Sequence, residues 1–253
     1  MDTSRHTGRT AIVTGASSGI GRATMFRLAA EGARVIGCDV NDDTIEETRA
    51  ALTEAGIDGT LLKADVTDQA DVDRIIAEAG DHIDILANVA GIMDHFLPLD
   101  EVDDATWDRV LAVNLTGVMR LSRAVLPLMK VAGGGAIVTV GSKASLGAGA
   151  SGVAYTSSKH GVVGLIRHIA FFYAADGIRS NGVLPGPVDT GIGSSAAPKS
   201  DWAMQSAMRT MATMPQVPAQ PDEVAALISW LASDEASYVN GALVTVDNGW
   251  SAA

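Results

Sequence analysis

The feature that most limits what this 253-residue chain can become lies near its start. The run Thr10-Ala11-Ile12-Val13-Thr14 is apolar or β-branched throughout, and such a run reads as a strand buried on both faces. It breaks at once into Gly15-Ala16-Ser17-Ser18-Gly19-Ile20-Gly21, and a helical pattern opens with Arg22-Ala23-Thr24-Met25-Phe26. Glycines have physical uses in such a turn. They permit a sharp strand-to-helix bend, let backbone approach a pyrophosphate, and let the helix pack closely on the strand. The helix start adds unpaired N–H groups and the positive end of its dipole. Gly15, Ser17, Ser18, Gly19, Ile20 and Gly21 are therefore expected to cradle the phosphates of a dinucleotide. The spacing is G-x3-G-x-G rather than G-x-G-x-x-G, and an ordinary glycine-rich turn is the plain alternative.

The same alternation continues along the chain. Strand-like runs occur at Thr10–Thr14, Arg34–Asp39, Thr60–Asp65, Ile83–Asn88, Ala136–Val140, Arg179–Leu184 and Ala242–Asp247. Helical patterns fall between them at about 19–31, 43–55, 69–79, 104–130, 155–175 and 221–232. Strand–helix alternation on this scale predicts an α/β fold: a Rossmann-like, doubly wound sheet of about seven parallel strands with helices on both faces. No linker, charge block or repeat divides the sequence, so residues 1–253 are read as a single dinucleotide-binding catalytic domain. The stretch from 191 to 220 is rich in Gly, Ser, Ala, Pro and Met, and its length marks it as a substrate lid.

Composition excludes other classes. With 47% apolar and 19% charged residues the chain is too apolar to be disordered. No uncharged apolar run reaches 18 residues, so no membrane partner is expected. A net charge of −12 without a basic cluster argues against nucleic acid. Cys38 is the single cysteine and no signal-peptide core follows the polar start, so a cytoplasmic location is expected. The histidines show no paired metal-ligand spacing, and no metal is expected.

The second strand ends at Asp39, 18 residues past Gly21. A carboxylate there can accept hydrogen bonds from the adenosine ribose and repels a 2′-phosphate, which favours NAD (NADH) over NADP. The plain alternative is a helix cap or loop carboxylate.

In order, the motifs closely resemble those of the short-chain dehydrogenase/reductase family. Thr14-Gly15-x3-Gly19-x-Gly21 looks like its cofactor motif, and Asp65-Val66 like the pair that meets the adenine. Asn88-Val89-Ala90-Gly91 is similar to Asn-Asn-Ala-Gly, with Val89 in place of Asn. Asn114, Ser142 and Tyr155-x3-Lys159 stand where the family has its active-site residues, with Ser142 13 residues before Tyr155. Pro185-Gly186-Pro187-Val188-Asp189-Thr190 resembles the segment that meets the nicotinamide. The resemblance runs from about Gly8 to Gly249.

The resemblance implies a cofactor site made of Gly15, Ser17, Ser18, Gly19, Ile20, Gly21, Asp39, Asp65, Val66, Asn88, Ala90, Gly91, Tyr155, Lys159, Pro185, Gly186, Val188 and Thr190. It implies hydride transfer between nicotinamide and a secondary alcohol or ketone. Tyr155 would be the acid/base, and a free phenol at pKa ~10 is too weak a base at neutral pH. Lys159 is one turn on, and its charge would lower the Tyr155 pKa. Ser142 would orient the substrate oxygen, and Asn114 would hold a water of a proton relay. Segments Met93–Phe96, Lys143–Val153 and the stretch from Gly191 would line the substrate pocket, with Ser142, Ala144, His95, Val153 and Trp202 as named contacts. Met204, Met208, Met211 and Met214 form a helical stripe, which reads as a core-facing face or as a pocket wall for a lipophilic substrate. By the same resemblance the long helices near 104–130 and 155–175 and the ending Val246–Trp250 would build a homotetramer. The alternatives are an NADPH-dependent 3-oxoacyl-thioester (acyl-carrier-protein) reductase and, from another class, a non-catalytic dinucleotide-binding sensor or scaffold.

Overall fold

The structure, a computed structural model, describes residues 4–190, 192 and 196–252. Seven strands form one parallel sheet: β1 Thr10–Thr14, β2 Arg34–Asp39, β3 Gly59–Lys63, β4 Ile85–Asn88, β5 Gly135–Val140, β6 Ile178–Pro185 and β7 Leu243–Val246. Their order is β3-β2-β1-β4-β5-β6-β7. The helices are α1 Gly19–Ala30, α2 Asp42–Glu54, α3 Gln69–Ala79, α4 Asp104–Leu111, α5 Val118–Ala132, α6 Val153–Phe172, α7 Asp201–Thr213 and α8 Pro221–Ala232. This is the expected Rossmann-like architecture.

Period-two alternation sends neighbouring strand residues to opposite faces. Ala11, Val13 and Val35 pack with Met25 and Leu28 of α1 and with Val224, Ile228 and Leu231 of α8. Ile12, Ile36 and Leu86 pack on the other face with Ile75 of α3 and with Leu121, Val125 and Met129 of α5. Both faces are covered, which is why the strand sequences are apolar without a polar stripe. Cys38 lies inside this core, and burial pushes its thiol pKa up to about 12.

The adjacent strands β1 and β4 lead to helices on opposite faces. Their connections part at this switch point and leave a crevice over the carboxyl ends of the strands, where ligands of doubly wound folds bind.

Two regions differ from the sequence expectation. The helix expected at 104–130 is broken by a π-helical turn, Ala112–Gly117, around the buried Asn114. No local sequence signal marks that register change, and such turns recur at functional sites. Within the expected lid, residues 201–213 form α7, started by Ser200, whose hydroxyl accepts from the Ala203 N–H. Residues 191 and 193–195 of that stretch lie outside the described residues. The methionine stripe is not the core-facing side of α7. Ala203, Ala207 and Thr210 are buried, whereas Met204 and Met208 are exposed.

Candidate active site

The glycine loop shapes the first half of the site. A Cβ at Gly21 would sit 2.0 Å from the Gly15 carbonyl oxygen, so only glycine lets α1 begin this close to β1. Gly19 has φ +46°, and a Cβ there would lie 2.8 Å from Thr190 Cγ2. The Thr14 hydroxyl accepts from the backbone N–H groups of Val89 and Ala90, which ties the β4 loop to the glycine loop.

Between these loops runs a cleft of about 540 Å³. Gly15, Ser18, Gly19, Ile20 and Gly21 line it together with Asp39, Asp65, Val66, Ala90, Gly91 and Thr190. A helix N-terminus, a glycine cradle that side chains would fill and a strand-end carboxylate are the parts a nicotinamide dinucleotide requires, so the residues fit that cofactor. Asn41, not Asp39, caps α2, accepting from the Asp43 and Thr44 N–H groups. Asp39 accepts from the N–H of Ser17 at 3.1 Å and of Val40 at 2.7 Å, which fixes its carboxylate at the cleft. Two expected contacts stand elsewhere. Ser17 is buried and binds Thr44 at 2.6 Å, so it braces the loop against α2. Asn88 is buried in the sheet, where its amide donates toward Ser122 and Thr139.

A second cavity of about 340 Å³ adjoins the cleft, and Ile20, Val89, Gly91 and Thr190 line both. Ser142, Tyr155 and Lys159 meet here, beside Pro185, Gly186 and Val188. Ser142 follows β5 and starts a short 3-10 turn, where its hydroxyl accepts from the Ala144 N–H at 3.1 Å. Tyr155 and Lys159 lie one turn apart on α6, with the Lys159 ammonium 5.6 Å from the Tyr155 ring centre. Lys159 Nζ donates to the Val140 carbonyl at 2.9 Å.

Electrostatics here differ from the sequence expectation. Burial lowers the Lys159 pKa to about 8. Burial also raises the Tyr155 pKa; a side-chain hydrogen bond with Ser142 opposes the rise and Asp94 adds to it. Desolvation therefore dominates the proton affinity of Tyr155, and Lys159 is not among the groups that shift it. Asn114 differs too. Its side chain accepts from the Ile92 N–H and donates to the Ile92 carbonyl, both at 2.9 Å, and also donates to Ser158. Both ends of its amide are engaged, tying the β4 loop to α6 through Ile92 and Ser158.

The outer wall of the cavity is apolar: Met93, Phe96, Ala150, Met211, Met214 and Trp250. Four expected substrate contacts are not part of it. Ala144 is the middle residue of the 3-10 turn and is fully buried. Val153 opens α6 and donates its N–H to Leu97. His95 lines a separate recess, with its imidazole Nδ1 on the Ala197 carbonyl at 2.9 Å. Trp202 is on the solvent side of α7, under the Arg209 guanidinium. Sequence reasoning missed Trp250, which comes from the far end of the chain and donates to Thr213 on α7 at 3.3 Å. It also missed Asp94. This fully buried carboxylate accepts from Gly152 N, Tyr155 N and the Ser151 hydroxyl, so it caps the helix that carries Tyr155. The sequence neighbours of Asp94 gave no sign of a contact about 60 residues away.

Among the described residues, no group of three or more His, Cys, Asp or Glu side chains could hold a metal ion. No helix among them is long and apolar enough to cross a membrane.

Comparison with known proteins agrees with this geometry. The family profile described as "Enoyl-(Acyl carrier protein) reductase" matches residues 15–251. The chain is 39% identical to 3beta-hydroxysteroid dehydrogenase 2 of Eggerthella lenta over the full length of both proteins. It is 38% identical to short chain dehydrogenase adrF of Penicillium roqueforti, covering 95% of this chain and 96% of that protein. It is 42% identical to cis-4-hydroxycyclohexanecarboxylate dehydrogenase of Sinomonas cyclohexanicum, covering 96% and 97%. A crystal structure from Beutenbergia cavernae, described as an NAD(P)-dependent gluconate 5-dehydrogenase with NADP at low occupancy, superposes with a TM-score of 0.86 at 35% identity, covering 99% of this chain and 100% of that one. With a glycine cradle, a Tyr155/Lys159 pair and relatives of these names over its whole length, the chain belongs to the short-chain dehydrogenase/reductase family of oxidoreductases.

Proposed function

We propose that this protein is an NAD(H)-dependent oxidoreductase that interconverts a lipophilic secondary alcohol and its ketone. The convergence of Ser142, Tyr155 and Lys159 on one cavity that opens into the dinucleotide cleft carries this reading. A nicotinamide dinucleotide held by the glycine loop and Asp39 would supply the hydride acceptor for the alcohol or the hydride donor for the ketone. The chain's residues manage the proton and the oxygen. Tyr155 Oη takes the hydroxyl proton in oxidation and gives it back in reduction. Ser142 hydrogen-bonds the substrate oxygen as charge develops on it. Lys159, buried and positively charged below about pH 8, stabilises the tyrosinate. Asn114 positions the β4 loop through Ile92 and thereby the wall shared by cleft and cavity.

Two observations support NAD over NADP. Asp39 is held at the ribose end of the cleft by the backbone of Ser17 and Val40. Among the described residues, the one Lys or Arg side chain that lines the cleft is Arg109 on α4, which does not neighbour Asp39 in sequence. The relatives named for a 3β-hydroxysteroid and for a hydroxycyclohexane carboxylate are ring-alcohol dehydrogenases by name, and the Met, Phe and Trp wall suits such a ring. The NADPH-dependent acyl-thioester reading has the family description and the NADP-bound neighbour on its side. Residues 1–253 acting as one catalytic domain, residues 191–220 as a lid and a cytoplasmic homotetramer complete the proposal.

The test is a fluorescence titration with NADH and NADPH side by side, followed by turnover of cyclohexanol with the better cofactor. At least ~10-fold tighter NADH binding and measurable oxidation are expected. Tighter NADPH binding would overturn the role given to Asp39. Tight binding without turnover of any alcohol or ketone would favour the non-catalytic alternative.

A further inference from the structure

Most basic side chains of this acidic chain are spent within the protein. Arg27 and Arg5 meet Glu31, Arg9 meets Asp234, Lys63 meets Asp42 and Arg74 meets Asp71. Arg34 and Arg179 are taken up by backbone carbonyls. Arg109 and Lys199 differ. Among the described residues, neither side chain makes a hydrogen bond or an ion pair. Yet the two come from separate elements, α4 and the segment before α7, and line one recess of about 350 Å³.

His95 lines the same recess. It is held by its bond to Ala197 and has a left-handed backbone, φ 59°, as does Phe96 at 58°. Two consecutive non-glycine residues in that region are costly, so the surrounding structure must enforce this path. Asp103, the acid that feels Lys199, is already engaged, accepting from the Thr106 N–H at 2.6 Å.

The recess adjoins both parts of the site. Arg109 and Ile92 also line the dinucleotide cleft, and Met93 also lines the cavity at Ser142 and Tyr155. An unpaired guanidinium presents a planar fork that matches a carboxylate, and an unpaired ammonium beside it adds a point charge. Their convergence in a chain of net charge −12 makes the recess a local trap for anions.

We propose that the Arg109/Lys199/His95 recess is a carboxylate subsite. It takes the anionic end of a hydroxy or oxo acid whose apolar body and reacting carbon lie in the adjoining cavity. This rests on the hydride-transfer reading above. A phosphate of the dinucleotide is the other source of oxyanion chemistry near Arg109.

The test uses non-reactive probes, so that binding is read apart from turnover. Cyclohexanecarboxylate and its methyl ester are titrated into the protein–NADH complex. The carboxylate is expected to bind at least ~10-fold tighter than the ester, as one desolvated ion pair allows. Arg109→Gln and Lys199→Gln should each pull that ratio toward one, and Arg109→Lys should keep part of it. Melting temperatures verify that the variants fold, and the exposed Lys199 gives a substitution with little structural risk. Equal binding of the two probes overturns the proposal, as does failure of both to bind at millimolar concentration. A ratio that survives both substitutions also overturns it. Weaker NADH binding in Arg109→Gln with the ratio intact gives the guanidinium to the dinucleotide phosphate, again against the proposal. Failure of cyclohexanol oxidation strikes the hydride-transfer reading instead and leaves the probe ratio to be judged separately.

Discussion

Two clusters of polar side chains occupy opposite edges of the sheet. One, with Ser142, Tyr155 and Lys159, lies past the carboxyl ends of β5 and β6. The other lies before the amino ends of β1 and β2. There the Ser229 hydroxyl sits 3.1 Å from His6 Nε2 and donates to the Glu31 carboxylate, which also pairs with Arg27. Hydroxyl, imidazole and carboxylate are in contact, the ingredients of a nucleophilic triad. Two things deny the second cluster chemistry. The imidazole meets both the hydroxyl, at 3.1 Å, and the carboxylate, at 3.5 Å, through the same Nε2, whereas a triad's imidazole bridges the two through its two ring nitrogens. All three groups are fully buried, and they line none of the cavities described for the molecule. The first cluster has fewer internal bonds and a cavity in front of it. Reactive residue types in contact make a brace when sealed and a site when their polar atoms face open space.

That contrast can be broken at either end. Tyr155→Phe should lower turnover by ~10²- to 10⁴-fold while NADH binding persists, measured by steady-state kinetics and titration. Unchanged turnover would remove Tyr155 from the chemistry. Glu31→Gln should do the opposite. Loss of a buried charge paired with Arg27 and Arg5 should cost ~3 kcal/mol in urea unfolding, with kcat within ~2-fold of wild type. A fall in kcat with unchanged stability would join the two edges functionally.

Asp94→Asn lies between these extremes, because Asp94 is sealed like the brace yet bonded to the Tyr155 backbone. We expect a loss of ~1–2 kcal/mol from the α6 cap and a ~10-fold fall in kcat, with NADH affinity little changed. Stability loss alone would make Asp94 only a cap.

The smallest effects are pH-dependent. Burial holds the His6 pKa below its ordinary value, with Glu31 pulling the other way. The folded state thus binds fewer protons than the unfolded one, so stability is full above about pH 6.5 and falls as the pH drops below it. His6→Gln should flatten that slope in calorimetric scans. Lys159 has the same sign in another window. Its folded pKa of about 8 lies below the ordinary lysine value, so stability rises between about pH 8 and 10.5 as the buried ammonium loses its proton. The melting-temperature advantage of Lys159→Met should therefore shrink over that range, and a constant gap would refute the burial penalty.

The parts legible in the sequence were those in which local pattern and tertiary role coincide. β1 and β2 were bounded to the residue, because apolar runs between glycines leave few alternatives. The cleft-lining glycines and the Tyr155/Lys159 pair were legible because their spacing is itself the geometry. Asn88 and Ser17 sit in the right motifs, but their side chains turn into the sheet and toward Thr44. Ala144, Val153, His95 and Trp202 stand in segments that border the cavity, but none of the four lines it. A segment next to a cavity has two faces, and sequence does not say which one looks in.

The sequence by itself determined the alternation of buried strands and helices, the glycine loop between β1 and α1 and the spacing of Ser142, Tyr155 and Lys159. These follow from period, chain stiffness and the missing Cβ of glycine, all local properties. Only the tertiary structure decided that Asp94 caps α6, that Trp250 closes the cavity against α7, and that Arg109 and Lys199 face one recess. Those are contacts across large separations in sequence, set by how the layers pack. Burial also decided the proton affinities of Tyr155 and Lys159, because the cost of desolvating a charge belongs to its surroundings and not to the residue that carries it.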